Sequence, residues 1–406
     1  MRQLFGLYYL FYCLIVSSLV YADDNAAYWK RHVIDNTSQG ADGVRLADAN
    51  GDGLMDIATG WEEGGLIRVY FNPGPEKARQ PWPKITVGNI ASPEDAVLVD
   101  LNDDGQLDVV SCCEGKVCQV NIHWAPACWV EYEIETTWKT TPIPITQGKA
   151  QWMFCVPLQV DGKHGVDLVL GSKNKNAQVG WLEAPADPSK LDDWKWHPII
   201  EAGWIMSIID FDMDNDGDKD LLVSDRKGEA KGCYWLEHPG VDQLNDKWIR
   251  HSISLSDREF MFLDISDING DHSLDVLVAQ KAHQFLIYLS EDSALSSWKE
   301  SVVEFSDNMG PGKSVRAGHI NQDERIDIVV SCEGATNDKQ GLFWMEGISN
   351  SAEAKWRHNP ISGPEGIKFD LIELIDLDGD GDLDVLTCEE RDNLGVIWYE
   401  NQIYVQ

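Results

Sequence analysis

Carboxylates alternate in nine-residue stretches that recur along the chain. Asp48, Asn50, Asp52 and Asp56 form the first set, and Asp100, Asn102, Asp104 and Asp108 the second. Asp212, Asp214, Asp216 and Asp220 follow, then Asp267, Asn269, Asp271 and Asp275, then Asp376, Asp378, Asp380 and Asp384. Oxygen ligands at positions 1, 3 and 5, a backbone carbonyl at 7 and a carboxylate at 9 can wrap a hard cation. The turn at position 6 is made by Gly53, Gly105, Gly217 and Gly381, and by His272 in the fourth set. A helix-flanked calcium loop would need a bidentate Glu at position 12. Thr59, Ser111, Val223, Val278 and Thr387 stand there instead, among strand formers. Without a metal, the like charges would repel one another in a solvated turn. The reading is about five structural Ca2+ ions. Two altered copies, Gln159 to Asp167 and His319 to Asp327, carry Lys163 and Arg325, whose side-chain cations are expected where the metal would otherwise sit.

The elements that hold these loops repeat with them. The seven copies start at 48, 100, 159, 212, 267, 319 and 376, a mean step of about 55 residues. An apolar strand enters each loop and a β-branched strand leaves it. An aromatic strand follows, such as Gly180-Trp181-Leu182-Glu183, and then a Trp strand, such as Trp248-Ile249-Arg250-His251. Four short strands per copy, seven times, predict an all-β fold: a seven-bladed β-propeller of four-stranded antiparallel blades. A Trp strand comes first, at Trp29, and the aromatic strand comes last, at Trp398. The ring is therefore expected to be closed by the N-terminal strand, with residues 28–35 completing the seventh blade. Residues 23–406 form one domain.

The Asp loops set between strands resemble the FG-GAP/VCBS repeats of integrin-type propellers, over essentially all of 28–402. The resemblance implies the fold and calcium. It leaves function open, because such propellers serve as adhesion modules, lectins and some polysaccharide lyases. The run Trp235-Leu236-Glu237-His238-Pro239-Gly240 with the downstream Trp248 and His251 is also similar to the propeller part of sugar-dehydrating lyases.

Composition narrows the partners. The 406 residues include 33 basic and 68 acidic side chains, a net charge of −35, which argues against nucleic acid. Arg2 precedes an apolar run from Leu4 to Val20 that ends in Val20-Tyr21-Ala22. Residues 1–22 read as a signal peptide, so the protein is expected to be secreted or periplasmic, with no membrane span after cleavage. That compartment permits disulfides. Cys113 and Cys118 flank a short loop, with Cys128 as a competing partner, and Cys332 and Cys388 end equivalent strands. Buried free thiols are the alternative.

The Asp loops define a lower face, and the opposite, upper face is free to vary. Five of the 17 Trp fall outside the repeat: Trp61, Trp124, Trp129, Trp152 and Trp204. Trp61, Trp152 and Trp204 are expected on the upper rim, where they stack on sugar rings or plug the channel mouth. Lys313 and Lys368 join them as ligand-binding candidates. The rim's non-repeat charges either hold an acidic glycan or balance neighbouring acids. They include Asp42, Glu62, Asp95, Glu114, Lys173, Asp225, Arg258, Arg316, Asp370 and Glu390. If the protein is a lyase, Arg226, Lys281, Lys313 and Arg391 are candidates to stabilise an enolate. Glu94, Glu389 or His283 would be the base. Glu94 and Glu389 are also the pair a hydrolase would use. No nucleophile motif appears. Carbohydrate binding, sugar or polysaccharide elimination, and protein adhesion remain the three readings, and the rim tryptophans favour glycan.

Overall fold

The computed structural model describes residues 28–244, 247–254, 257–292, 295–348 and 355–403. The segment read as a signal peptide lies outside them. Seven sheets of four antiparallel strands form the wheel. The innermost strands are Ala41–Ala47, Pro93–Val99, Gln151–Leu158, Ile205–Phe211, Phe260–Ser266, Gly312–Gly318 and Phe369–Ile375. They open blades 1 to 7 in chain order. Blade 7 takes its outer strand, Lys30–Asp35, from the other end of the chain, where it pairs antiparallel with Gly395–Glu400.

Burial follows position in the blade. Second strands such as Asp56–Trp61 and Asp327–Cys332 are buried at every residue, because a neighbouring blade covers each face. They therefore read as apolar runs rather than alternating ones. Outer strands such as Lys195–Glu201 are exposed or half-buried at every residue and meet solvent. Apolar clusters run across blade boundaries. Ile34, Trp61, Tyr70 and Trp82 pack with Leu386 and Trp398 between blades 1 and 7.

The Trp and His repeat is an outer-edge bracket. His197 stacks on Trp181 with centroids 4.4 Å apart, and its Nε2 lies 2.8 Å from Glu183. His251 does the same with Trp235 and Glu237, and His32 with Trp398 and Glu400. In blades 3, 4 and 7 the motif therefore joins the third strand to the fourth, away from the axis.

Two arginines fill the channel beneath the upper mouth. Arg45 of blade 1 reaches Asp95 of blade 2 at 3.1 Å and the Cys155 carbonyl of blade 3 at 3.1 Å, and it lies over Phe154. Arg316 of blade 6 donates to the Leu263 carbonyl at 3.1 Å and to Glu373 at 3.2 Å.

Candidate functional site

The Asp loops join first and second strands on the lower face. In the first loop, Asp48 accepts from the backbone N–H groups of Gly51, Asp52 and Gly53 at 2.7, 3.1 and 2.9 Å. Asp100, Asp212, Asp267 and Asp376 each accept likewise from the residue at position 6. These bonds fold the loop around its own carboxylates. In two loops the convergence is closest: ligand oxygens of Asp212, Asp214 and Asp220 lie within 4.8 Å of one another, as do those of Asp376, Asp378 and Asp384. An all-oxygen set of this kind fits a calcium ion. Asp218 Oδ1 and Asp382 Oδ1 are also buried there without a hydrogen bond among the described residues.

Position 9 does something else as well. Asp56 accepts from the backbone of Ala49 at 2.9 Å, inside the loop, and of Asn72 at 2.8 Å, after the third strand. Asp108, Asp220, Asp275 and Asp384 repeat this two-sided clamp. So do Asp167 and Asp327 in the altered copies. The ninth carboxylate thus staples every loop to its blade, which accounts for its presence in all seven.

In the altered copies a side-chain nitrogen takes up the position-7 carbonyl. Gln159 Nε2 donates to Gly165 O at 2.5 Å, and His319 Nδ1 lies 2.9 Å from Arg325 O. Lys163 sits 3.2 Å from Asp161, and Arg325 pairs with Asp323.

The upper mouth holds a cavity of about 570 Å³. Its floor comes from one recurring irregularity. In every blade the pairing of first and second strands slips near the strand's upper end, between Pro93 and Asp95 in blade 2 and between Gly312 and Ser314 in blade 6, for example. A bulge re-aims the residue it leaves unpaired. Gly43, Glu94, Met153, Met206, Phe262, Lys313 and Asp370 fall within these slips, and all seven line the cavity. Blades 3 to 5 therefore present an apolar floor, blades 2, 6 and 7 a charged one, and blade 1 a bare glycine.

Rim loops complete the walls. Trp204 carries three cations over its ring: Lys173 at 4.7 Å, Arg226 at 4.7 Å and Lys227 at 4.3 Å. Lys173 also pairs with Glu94 at 3.1 Å and with Glu114. Lys313 bridges Asp370 at 3.3 Å and Glu333 at 3.8 Å, and Lys368 pairs with Glu390. Arg226 pairs with Glu259 at 2.7 Å, and Lys281 with Glu333 at 2.5 Å. Lys227 and Arg391 line the cavity with no ion pair among the described residues. Burial, outweighing Lys173, pushes Glu94 up to about 8, and it pushes Glu390 up to about 8 against Lys368. Asp370, equally buried, is instead held down to about 2, Lys313 being the largest opposing influence.

Six of the ligand-binding and catalytic candidates meet in this cavity besides Trp204, namely Glu94, Arg226, Lys281, Lys313, Lys368 and Arg391, and the rim charges Asp42, Glu62, Asp95, Glu114, Lys173 and Asp370 line it with them. Others do not. Trp61 is fully buried between blades, with its indole N–H donating to Tyr70 at 2.8 Å, so it offers no face to a ligand. Trp152 is 3% exposed and belongs to a different pocket, between blades 2 and 3. Glu389 is sealed: its carboxylate accepts from the backbone of Ile367, Lys368, Arg391, Asp392 and Leu394, which makes it a loop organiser rather than a base. His283 lies outside the cavity, 3.2 Å from Asp307. Glu333, Lys227, Phe154 and Phe262 were not anticipated. A signal existed for the floor: the residue six before each loop's first position is Asp42, Glu94, Met153, Met206, Met261, Lys313 or Asp370, and six of these seven line the cavity.

All eight cysteines among the described residues are free. Cys113 is buried on its strand beside Ser111 and Asn121, whereas Cys118 turns in a left-handed conformation toward the Gly115 carbonyl. The two thiols face different surroundings, and the local bridge does not form.

Residues 48–111 match the family model of the FG-GAP-like repeat. They span the first Asp loop to the second strand of blade 2. This match and the seven-bladed wheel agree with an FG-GAP β-propeller. No curated protein matches the chain. One solved structure, described as the basis of specific recognition of non-reducing terminal N-acetylglucosamine by an Agrocybe aegerita lectin, is 13% identical over 80% of this chain and 81% of its own, with a TM-score of 0.47.

Proposed function

We propose that this FG-GAP-type β-propeller is a secreted, calcium-stabilised protein that binds carbohydrate, and specifically an acidic glycan, in the cavity of its upper face. The observation that carries the reading is the convergence of cations from blades 3 to 7 in one cavity of a chain whose net charge is −35. Lys227 and Arg391, free of internal ion pairs among the described residues, are the contacts for a carboxylate or sulfate. Met153, Met206 and Phe262 supply an apolar floor for the sugar's C–H face. The five Asp loops on the opposite face hold the calcium.

The test is retention on a panel of acidic and neutral polysaccharides. Acidic glycans bind, added salt weakens them, and Lys227→Ala with Arg391→Ala lowers affinity about tenfold. Equal retention of neutral and acidic polymers would sink the acidic assignment.

A second reading, elimination on the same glycan, is favoured by Glu94. Its carboxyl is pushed up to about 8, so it would act as a base as pH rises through about 8. It would take the proton from the carbon beside a uronate carboxylate while Lys313 steadies the enolate. The C–O bond then breaks, a C=C bond forms, and the leaving oxygen takes up a proton. New unsaturated chain ends in the digest separate this reading from binding alone.

A further inference from the structure

The described residues enclose a second pocket, of about 670 Å³, on the upper face between blades 2 and 3. Its chemistry differs from that of the central cavity. Trp152 and Trp196 meet edge to face at 5.3 Å and form its apolar wall. Asn174, Asn176 and Gln178 present side-chain amides, and Lys149 and Glu201 are its only charged lining residues. A site this size, with an aromatic wall and a few polar groups, has the make-up of a small-ligand pocket.

The pocket is rigidly framed. Asn174 and Asn176 both hold left-handed backbone, at φ 63° and 60°. Their turn is clamped to the loop before the next blade: Asn174 N–H donates to Gly203 O at 2.8 Å, and Ala202 N–H to Ala177 O at 2.9 Å. Asn174 Nδ2 donates to Gln151 Oε1 at 2.6 Å. Both backbone groups of Gln178 are tied to Ser172 Oγ, which fixes where its side chain starts. The opposite wall, at Ile145, Thr146 and Ala150, belongs to the eight-residue connection 143–150, and Trp152 anchors it by donating to Thr146 O at 3.1 Å.

From this we infer that the pocket between blades 2 and 3 binds an uncharged pyranose, with the sugar's C–H face on Trp196 and its hydroxyls on the Asn176 and Gln178 amides. Amides donate and accept at once, as vicinal hydroxyls require, and they carry no charge to select an ion. The site adjoins the central cavity: Lys173 lines one and Asn174 the other. If the acidic-glycan reading holds, one chain can seat an acidic residue on the axis and a neutral one outside it. The pyranose site itself does not depend on that reading.

The experiment follows the indole N–H resonances by NMR while a panel of uncharged methyl pyranosides is titrated, with wild type, Asn176→Gly, Gln178→Leu and Arg391→Ala. Glycine keeps the left-handed turn and removes only the amide, and a melting curve on each variant establishes that it folds. At least one panel sugar is expected to shift the Trp196 signal, assigned by Trp196→Phe. Its affinity should fall about tenfold in Asn176→Gly and in Gln178→Leu, and stay unchanged in Arg391→Ala. The proposal is overturned if no panel sugar moves Trp196, if both amide variants bind as wild type does, or if Arg391→Ala abolishes the binding. Failure of acidic glycans to bind the central cavity leaves these outcomes untouched.

Discussion

Two residues set the chemistry of the upper mouth. Glu94 and Glu390 lie in a crowded, buried acid cluster, and burial pushes each up to about 8. Both are largely neutral at pH 7 and become carboxylates above pH 8. An anionic glycan is then repelled, so its affinity is expected to fall roughly tenfold between pH 7 and 9. Calorimetry across that window checks it, and Glu94→Gln should flatten the profile. The same raised values favour the folded state most fully below the ordinary glutamate value of 4.5, and this contribution to stability fades as pH rises and is gone above about 8. The ninth-position aspartates carry a separate prediction. Asp327→Ala removes the acceptor for Ile320 and Gly347 N–H in a loop with no full metal set. Leaving both donors buried should cost roughly 3 kcal/mol in a urea titration, with or without calcium. A loss seen only with calcium present would assign Asp327 to a metal instead.

At the scale of the element, the Asp loop and its bulge were unequally legible. Type and spacing alone announced the loops, because a carboxylate every second residue has few uses. The Asp at position 9 was visible too, in all seven copies, but it read as a metal ligand, and its stapling of loop to blade was not legible. What spacing concealed was which rim side chains face the axis. A bulge advances the chain by an extra residue, so strict alternation assigns the wrong face beyond it. Trp61 misled for a related reason: it ends a second strand at the rim, yet its ring turns sideways to Tyr70. The two altered loops yield a measurement. Gln159 and His319 take up the carbonyl a cation would use, so chelation should leave residues 159–167 and 319–327 protected from amide exchange. The loops at 48–56, 100–108, 212–220, 267–275 and 376–384 should lose protection together, with a lower Tm. Equal exposure of all seven would overturn the division.

For the molecule as a whole, closure is the governing fact, and the phase of the repeat made it readable. A strand pattern that begins with the fourth strand and ends with the third has one way to form a ring. The joint is well fastened: His32 lies 2.6 Å from Glu400, 368 residues away, and Arg79 of blade 1 bonds the same carboxylate at 3.1 Å. Removing residues 28–35 should lower Tm sharply, and the peptide added in trans should restore part of it. No change in Tm would mean that the ring does not need its joint. The ribbon that fastens the wheel is also made before the rest of the wheel, and it must wait for almost all seven blades before its own partner exists. During that interval its bare edge can dock on the unfinished seventh blade of a neighbouring molecule, and a reciprocal exchange of ribbons would interlock two wheels.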